Sequence, residues 1–294
     1  MKINSKVCQE VEMNIGIYPF ASTGNIRKNL SVILSAADEA AKRGVRLLVF
    51  HECALSGYPP IECSVDEIDP VQIQNALEEI KAKAREKDIY IAVGTVLFDQ
   101  GRRFNSVLLF DNEGNDAGCY DKTSLWGWDT ENFTRGEKGG VFLVDGIKVG
   151  FRICFDVRFP ESFRDLYLQQ VPLCFVCFSD TSDDDDRARY DLLCGHLSTR
   201  AMENVMTVVS VNSLSRYQTA PSAVFDTAGS MILEAERNRE QLLVYDYQIP
   251  DITFGMRGRI AVSDYFLSRR QNSASQTDEM SLKISDNQIS DDMH

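Results

Sequence analysis

A strand runs into a helix within residues 150–161, which read Gly150-Phe151-Arg152-Ile153-Cys154-Phe155-Asp156-Val157-Arg158-Phe159-Pro160-Glu161. The β-rich apolar approach stops at Cys154, and Pro160 is placed to open a helix. A thiol between a strand end and a helix N-terminus is open to substrate, and we expect the helix dipole to lower its pKa. The alternative is a buried structural cysteine, because free cysteines often pack as small hydrophobic side chains.

Helices alternate with buried strands on both sides of this stretch. Apolar residues at helical spacing between Ile26 and Ala40 separate strands predicted at 14–18 and 46–50. The second half repeats this pattern with a helix from about Pro160, a strand at 173–178 and a helix at 187–203. Further strands are predicted at 89–98, 104–110, 141–144, 147–153, 206–211 and 242–247, and near Ala223 and Ile232. The chain is therefore predicted to be a layered α/β protein whose sheets are covered by helices.

Composition divides the chain into three parts. The 294 residues are 44% hydrophobic, which suits one large globular core. We predict an N-terminal extension at 1–13, a folded domain at 14–267 and a polar tail at 268–294. The tail is rich in Ser, Gln, Asn and Asp, so we expect it to be mobile or to dock on a partner subunit.

Charge and residue usage exclude several classes of protein. A formal net charge of −13 disfavours nucleic-acid binding, which needs clustered cations. With no apolar run near twenty residues and no signal peptide at the start, we expect no membrane partner and a cytoplasmic location. Cysteines within apolar strands fit that reducing compartment. No glycine-rich phosphate loop is present, so we expect no nucleotide cofactor.

Two smaller motifs have competing interpretations. Cys174 and Cys177 have a zinc-ligand spacing, but no second pair exists and the chain has three histidines, so we expect no metal. The run of four aspartates at 183–186 is expected to be a solvated loop that places negative charge at the start of the following helix. Its functional interpretation is an acidic rim that selects cationic substrates.

One more polar residue follows a predicted strand, and another lies beyond the predicted strand at 104–110. Leu47-Leu48-Val49-Phe50-His51-Glu52 ends in a carboxylate, and Tyr120-Asp121-Lys122-Thr123 supplies an ammonium. For Glu52 alone, a solvent-facing position just past a strand is an equally good interpretation, and a lone lysine is usually a surface residue. Together with Cys154 they provide the base, cation and nucleophile that acyl transfer requires. A partly desolvated glutamate has a raised pKa and serves as the base, while the lysine stabilises the oxyanion.

These residues lie in three ordered motifs that resemble those of the nitrilase superfamily, whose members hydrolyse carbon–nitrogen bonds with a Glu-Lys-Cys triad. The motifs are Phe50-His51-Glu52 with Ser56-Gly57-Tyr58, Tyr120-Asp121-Lys122-Thr123 with Leu125-Trp126, and Gly150 through Glu161. The resemblance covers residues 14–266. It implies a four-layer αββα sandwich, assembly into a homodimer or larger oligomer, and no cofactor.

The resemblance also implies roles for individual residues. Glu52 is the general base, Lys122 the oxyanion-stabilising cation and Cys154 the nucleophile, with the Phe155 N–H as a second oxyanion donor. Glu131 is expected to be a second carboxylate that positions substrate or Lys122. Residues expected to contact the substrate, mostly in the loops that set specificity, are Tyr58, Trp126, Phe155, Arg158 and Ser179.

The expected reaction is hydrolysis of a small amide or N-carbamoyl compound through a thioester, with release of ammonia or an amine. The short stretch between Lys122 and Glu131 resembles amidases and N-carbamoyl amidohydrolases more than nitrilases, which often carry an insertion there. Alternatives are nitrile hydrolysis or acyl transfer on the same triad. A further alternative is a scaffold that has lost catalysis and acts through protein interaction.

Overall fold

A computed structural model describes residues 12–269 of the chain. Strands and helices alternate along this part, as predicted. Up to Pro250 the α-helices are α1 (Ile26–Lys42), α2 (Pro70–Lys87), the short α3 (Asp129–Asn132), α4 (Pro160–Leu168) and α5 (Arg187–Asn204). The strands are β1 (Glu12–Ile17), β2 (Leu47–Val49), β3 (Tyr90–Asp99), β4 (Arg102–Phe110), β5 (Asp116–Asp121), β6 (Val141–Val144), β7 (Ile147–Ile153), β8 (Leu173–Phe178), β9 (Thr181–Ser182), β10 (Thr207–Asn212), β11 (Tyr217–Gln218), β12 (Ala223–Phe225), β13 (Met231–Glu234) and β14 (Leu243–Gln248).

Two six-stranded sheets have the same internal plan. The first has the order β14-β1-β2-β3-β4-β5, and the second has the order β13-β12-β10-β8-β7-β6. In each sheet three central strands are parallel and the outer strands are antiparallel. Parallel neighbours need a crossover connection, and α1, α2, α4 and α5 supply these crossovers. The two halves are therefore βαβαβ units of the same kind.

The two faces of each sheet pack against different layers of the protein. In β2, Leu48 packs with the helical residues Ile33 and Ile80, whereas Leu47 and Val49 pack against the second sheet. Between the sheets the rings of Phe151 and Phe175 stack at 5.4 Å. A third cluster joins α4 and α5 to the outer face of the second sheet. This order of helix, sheet, sheet and helix confirms the predicted αββα sandwich.

The chain forms two compact units, one that runs to Pro250 and one that begins at Asp251. Both sheets lie in the first unit. In the second unit, residues 254–269 are helical. The predicted extension at 1–13 and the tail at 268–294 fall largely outside the described residues. They stay predictions, as does the homodimer.

Candidate active site

Glu52 lies in the turn after β2 and is buried. The neighbouring strand must come very close to this turn. A Cβ on Gly94 of β3 would lie 2.2 Å from the carbonyl oxygen of His51 and 2.6 Å from the nitrogen of Cys53. Only glycine leaves room for this close approach, so Gly94 helps to determine the position of the Glu52 carboxylate.

Three donors bind the Glu52 carboxylate. Lys122 Nζ and Asn105 Nδ2 donate to Oε1 at 2.8 and 2.7 Å, and the Ser179 backbone N–H donates to Oε2 at 2.8 Å. Burial raises the pKa of Glu52 above the ordinary carboxyl value; the charge of Lys122 opposes this rise and that of Asp129 adds to it. A fixed carboxylate with a raised pKa is suited to accept and return a proton.

Lys122 follows directly after β5 and is buried. Its ammonium lies between two carboxylates, 2.8 Å from Glu52 Oε1 and 2.7 Å from Asp129 Oδ2. Burial alone lowers the pKa of a lysine, but the charges of Glu52 and Asp129 oppose burial, and the pKa of Lys122 is raised well above its usual value. Lys122 is therefore a permanent cation.

The second carboxylate at Lys122 is Asp129, two residues before the predicted one. Glu131 lies exposed at the surface, whereas Asp129 at the start of α3 is fully buried. Asp129 also accepts hydrogen bonds from Tyr58 Oη at 2.9 Å and from the Trp126 N–H at 3.1 Å. Asp129, and not Glu131, therefore contacts Lys122, while the alternative role of Glu131 in positioning the substrate stays a prediction. Because Asp129 partly compensates the charge of the Lys122 ammonium, this ammonium lowers the pKa of Glu52 less than an unpaired lysine would.

We expect Asp129→Asn to lower kcat/KM by about 10- to 100-fold, because Lys122 loses an anion and shifts from its position. Loss of the Asp129 charge also removes one cause of the raised Glu52 pKa. The acid limb of the pH–rate profile should therefore move to lower pH. Glu131→Gln is the matched control and should change kcat/KM by less than about twofold. A larger effect at Glu131 than at Asp129 would contradict this assignment.

Cys154 directly follows β7 and begins a one-turn 3₁₀ helix, Cys154–Arg158. Its φ of +44° lies in the left-handed region, which a residue with a side chain adopts only when its surroundings enforce it. The expectation of a lowered pKa is wrong. Burial raises the pKa of the Cys154 thiol well above its ordinary value, and the Glu52 charge raises it further, against the opposing effect of Lys122. The resting thiol is protonated, so attack needs a base.

Asp156 joins the cysteine turn to the lysine segment. Its buried carboxylate accepts from the Ile153 N–H at 2.9 Å on one side, and from the Ser124 N–H at 2.8 Å and Tyr120 Oη at 2.7 Å on the other. Thr123 Oγ1 adds a fourth bond at 3.1 Å. One carboxylate therefore holds the two segments that carry Lys122 and Cys154 in fixed relative positions.

A cavity of about 510 Å³ opens above these side chains. Lys122 and Cys154 both lie in its wall. The five predicted substrate contacts all line it as well, namely Tyr58, Trp126, Phe155, Arg158 and Ser179. Such a volume is typical of small-molecule sites. The structure thus brings every predicted site residue except Glu131 to one place.

Several residues of this site were missed in the sequence. Asp129 and Asn105 bind Lys122 and Glu52, and Trp128 and Arg189 line the cavity. Trp126 and Trp128 are half-exposed and form an edge-to-face pair at 5.5 Å. Two tryptophans in one exposed loop, the only two in the chain, were a signal that this loop forms a wall of the site.

The structure also bears on the predictions about metal binding and membrane association. Cys174 packs against the helices and Cys177 packs between the sheets, so the two thiols point to opposite faces of β8 and cannot share a metal ion. Within residues 12–269, no group of three His, Cys, Asp or Glu side chains is arranged to hold a metal. No helix in this part of the chain has the length and apolar character needed to cross a membrane.

A four-layer αββα fold with a buried Glu–Lys pair beside a cysteine is typical of the nitrilase superfamily. Residues 11–254 match the carbon–nitrogen hydrolase family. An (R)-stereoselective amidase from Pseudomonas sp is 27% identical over 225 residues, which are 75% of this chain and 78% of that protein. An N-carbamoylputrescine amidase from Solanum lycopersicum is 24% identical over 250 residues, 80% of this chain and 77% of that protein.

The solved structures give the same result. The crystal structure of an amidase from Nesterenkonia sp. superposes with a TM-score of 0.70 at 25% identity, covering 80% of this chain and 90% of that one. The chain therefore belongs to the carbon–nitrogen hydrolase family of the nitrilase superfamily. The resemblance found in the three sequence motifs is confirmed, and the protein is a carbon–nitrogen hydrolase.

Proposed function

We propose that this enzyme hydrolyses the C–N bond of a small amide or N-carbamoyl compound, with Cys154 as the nucleophile. The observation that carries the proposal is the position of Lys122, whose ammonium is fixed by Glu52 and Asp129 and lies in the same cavity wall as Cys154. A fixed cation beside a thiol and a base is what attack on a carbonyl requires. The amidase relatives support this reaction class.

In the first half-reaction, Glu52 accepts the Cys154 proton as Sγ bonds to the substrate carbonyl carbon. The carbonyl oxygen becomes an oxyanion that Lys122 stabilises, with the Phe155 N–H as the second donor. A fixed donor at this place contributes about 3 kcal/mol to the transition state. Glu52 then passes its proton to the substrate nitrogen, the C–N bond breaks, and ammonia or an amine leaves a thioester on Cys154.

In the second half-reaction, water attacks the thioester carbon and gives a proton to Glu52. The oxyanion forms beside Lys122 again, and its collapse breaks the C–S bond. Glu52 returns the proton to Sγ, which restores the thiol, and the carboxylic or carbamic acid leaves. Glu52 thus changes role twice in each cycle, which a raised pKa permits.

The lining residues have distinct parts in this proposal. Tyr58 supports Asp129 through its hydroxyl, and Ser179 orients Glu52 through its backbone N–H. Trp126 and Phe155 supply apolar walls that exclude water from the acyl group. Arg158 is one of the charged side chains of the cavity wall that can contact the rest of the substrate.

The test is ammonia release by the wild-type enzyme across small amides, ω-amides, N-carbamoyl amines, N-carbamoyl amino acids and nitriles, with intact-mass detection of an acyl adduct. We expect release from an amide or N-carbamoyl class and an adduct on the peptide that contains Cys154. Ammonia release from nitriles alone would support nitrile hydrolysis instead of the proposed reaction. No ammonia release from any of the compounds would support a scaffold that has lost catalysis. Adding hydroxylamine as a competing nucleophile separates hydrolysis from acyl transfer.

A further inference from the structure

The two oxygens of the Glu52 carboxylate have different numbers of donors. Oε1 accepts from Lys122 Nζ and Asn105 Nδ2, at 2.8 and 2.7 Å. In the described part of the chain, Oε2 accepts only from the Ser179 N–H, at 2.8 Å. A carboxylate oxygen has two lone pairs, so Oε1 is fully occupied and Oε2 keeps one lone pair. Since Ser179 lines the cavity that contains Cys154, Oε2 is the oxygen available to take the thiol proton.

Asn105 contacts both charged partners of the site without lining the cavity. It lies in β4 and is fully buried. Its side chain donates to Glu52, and its main-chain carbonyl oxygen accepts from the Lys122 N–H at 2.8 Å. Asn105 is absent from the cavity wall, so it acts on the chemistry through Glu52 and Lys122 and not through the substrate.

The orientation of the Asn105 amide depends on Cys53. An asparagine amide carries a donor and an acceptor, and rotation of the amide exchanges their positions. The Cys53 thiol donates to Asn105 Oδ1 at 3.6 Å, which leaves Nδ2 directed at Glu52. Burial raises the pKa of Cys53 well above its ordinary value, and the charge of Glu52 raises it further. The thiol therefore keeps its proton and remains a donor.

The groups around Glu52 determine how its protonation responds to Asn105. Burial raises the pKa of Glu52, and the Asn105 donor is one of the groups that oppose this rise, because it binds the ionised form. Lys122 and Asp129 are the charged groups that act on this carboxylate. His51 is neutral above a pKa that burial lowers to about 4. Four further groups interact with Glu52 and keep their protons because burial raises their pKa, namely Cys53, Tyr58, Cys154 and Cys177.

We propose that Asn105 is a positioning residue for the general base and that Cys53 fixes the orientation of its amide. Asn105 and Lys122 together occupy Oε1 of Glu52, and the carboxylate presents Oε2 to the Cys154 thiol. This inference rests on the proposed role of Glu52 as the base for Cys154. It goes beyond that role by naming the residues that orient the carboxylate.

The experiment measures the rate of Cys154 alkylation by iodoacetamide as a function of pH, with peptide mapping by mass spectrometry. In this reaction Sγ bonds to the methylene carbon, iodide leaves and Glu52 takes the thiol proton. Asn105→Leu keeps the approximate volume of the side chain and removes the donor. We expect its acid limb to move up by about one pH unit and its plateau rate to fall about 10-fold. Loss of folded protein lowers the amplitude of the reaction and does not move the acid limb.

The Cys53 variants test the orientation of the amide. Cys53→Ala removes the donor to Asn105 Oδ1, so the amide can rotate, and we expect the acid limb to rise by about half a pH unit. Cys53→Ser retains a donor at the same backbone position and should restore the wild-type limb. Cys174→Ala is the matched control, because it removes a buried thiol that donates to the Phe175 carbonyl oxygen at 3.7 Å. Its acid limb should be that of the wild type.

An unchanged acid limb in folded Asn105→Leu would overturn the role of Asn105. The same limb in Cys53→Ala and Cys53→Ser would overturn the role of Cys53. Melting curves identify an unfolded Asn105→Leu, and the two Cys53 variants then decide the outcome. Alkylation requires no amide turnover, so a protein that shows these shifts but hydrolyses no amide would refute only the proposed hydrolysis. A wild-type alkylation rate without an acid limb would refute Glu52 as the base and this inference with it.

Discussion

Replacing Cys154 with alanine is expected to lower amide hydrolysis by about 10⁴-fold or more. Alanine removes the atom that bonds to the carbonyl carbon, and no other thiol of residues 12–269 lies in the cavity wall. The fold should survive, because Cys154 packs only at the edge of the apolar clusters. Ammonia release and the thermal unfolding midpoint measure these two outcomes separately.

Cys194→Ala is the matched control for this substitution. Cys194 is a partly buried thiol of α5 whose pKa burial also raises, to about 11, and it is absent from the cavity wall. Its replacement should leave turnover within about twofold of the wild type. Near-normal hydrolysis by Cys154→Ala, with a normal melting curve, would remove Cys154 from the mechanism.

The regular elements of the fold could be predicted because their patterns are strong. The bounds of β6, β7 and β8 coincide with the prediction, since each strand is a short apolar run between turn residues. Strand β5 was missed because its sequence, Asp116-Ala117-Gly118-Cys119-Tyr120-Asp121, has few apolar residues and a glycine. It forms because pairing with β4 satisfies its backbone, which depends on tertiary structure.

The residues of the active site also differ in whether the sequence could predict them. Glu52, Lys122 and Cys154 each follow a strand end, so a single motif identified each of them. Asp129 lies in a four-residue helix within a loop, where no periodicity distinguishes it from Glu131 two residues later. Which carboxylate reaches Lys122 is decided by the Tyr58 hydroxyl and the Trp126 N–H that hold Asp129. Such contacts join distant segments and are invisible to local pattern.

The pKa of Cys154 also depends on contacts between distant segments, which a local sequence pattern does not predict. Sequence identified the local cause, a helix N-terminus, which lowers a thiol pKa. Burial and the carboxylate of Glu52, which comes from the other half of the chain, raise it and dominate. As a consequence, rapid alkylation by iodoacetamide at neutral pH is not an expected signature of this thiol. Its reactivity depends on the base, and this makes Glu52 the second decisive residue.

Glu52→Gln is expected to lower kcat by about 10³-fold, the loss associated with removing a general base. Glutamine has the same shape, and its amide oxygen can still accept from Lys122 and Asn105. It cannot take a proton from a thiol whose pKa is raised, nor pass one to the leaving nitrogen. The measurement is single-turnover acylation and deacylation, and both rates should fall because Glu52 acts in each half-reaction.

The pH dependence of kcat/KM identifies the base independently. Glu52 must be ionised to act, and burial raises its pKa. Wild-type activity should therefore fall as the pH drops through a value above the ordinary carboxyl range of about 4.3, and this acid limb should be absent from the residual activity of Glu52→Gln. The rival group is Glu62, whose pKa burial also raises and which accepts from the Tyr58 N–H at 2.8 Å.

Glu62→Gln separates the two carboxyl groups. Glu62 supports the loop that carries Tyr58, so its replacement is expected to raise KM by loosening that wall of the cavity. The acid limb should stay where the wild type has it, because Glu62 forms no hydrogen bond or ion pair with Lys122 or Cys154 within residues 12–269. An acid limb that persists in Glu52→Gln and disappears in Glu62→Gln would transfer the role of base to Glu62. The contacts of Glu52 with Lys122 and the Ser179 N–H argue for the opposite result, because Lys122 and Ser179 line the same cavity as Cys154.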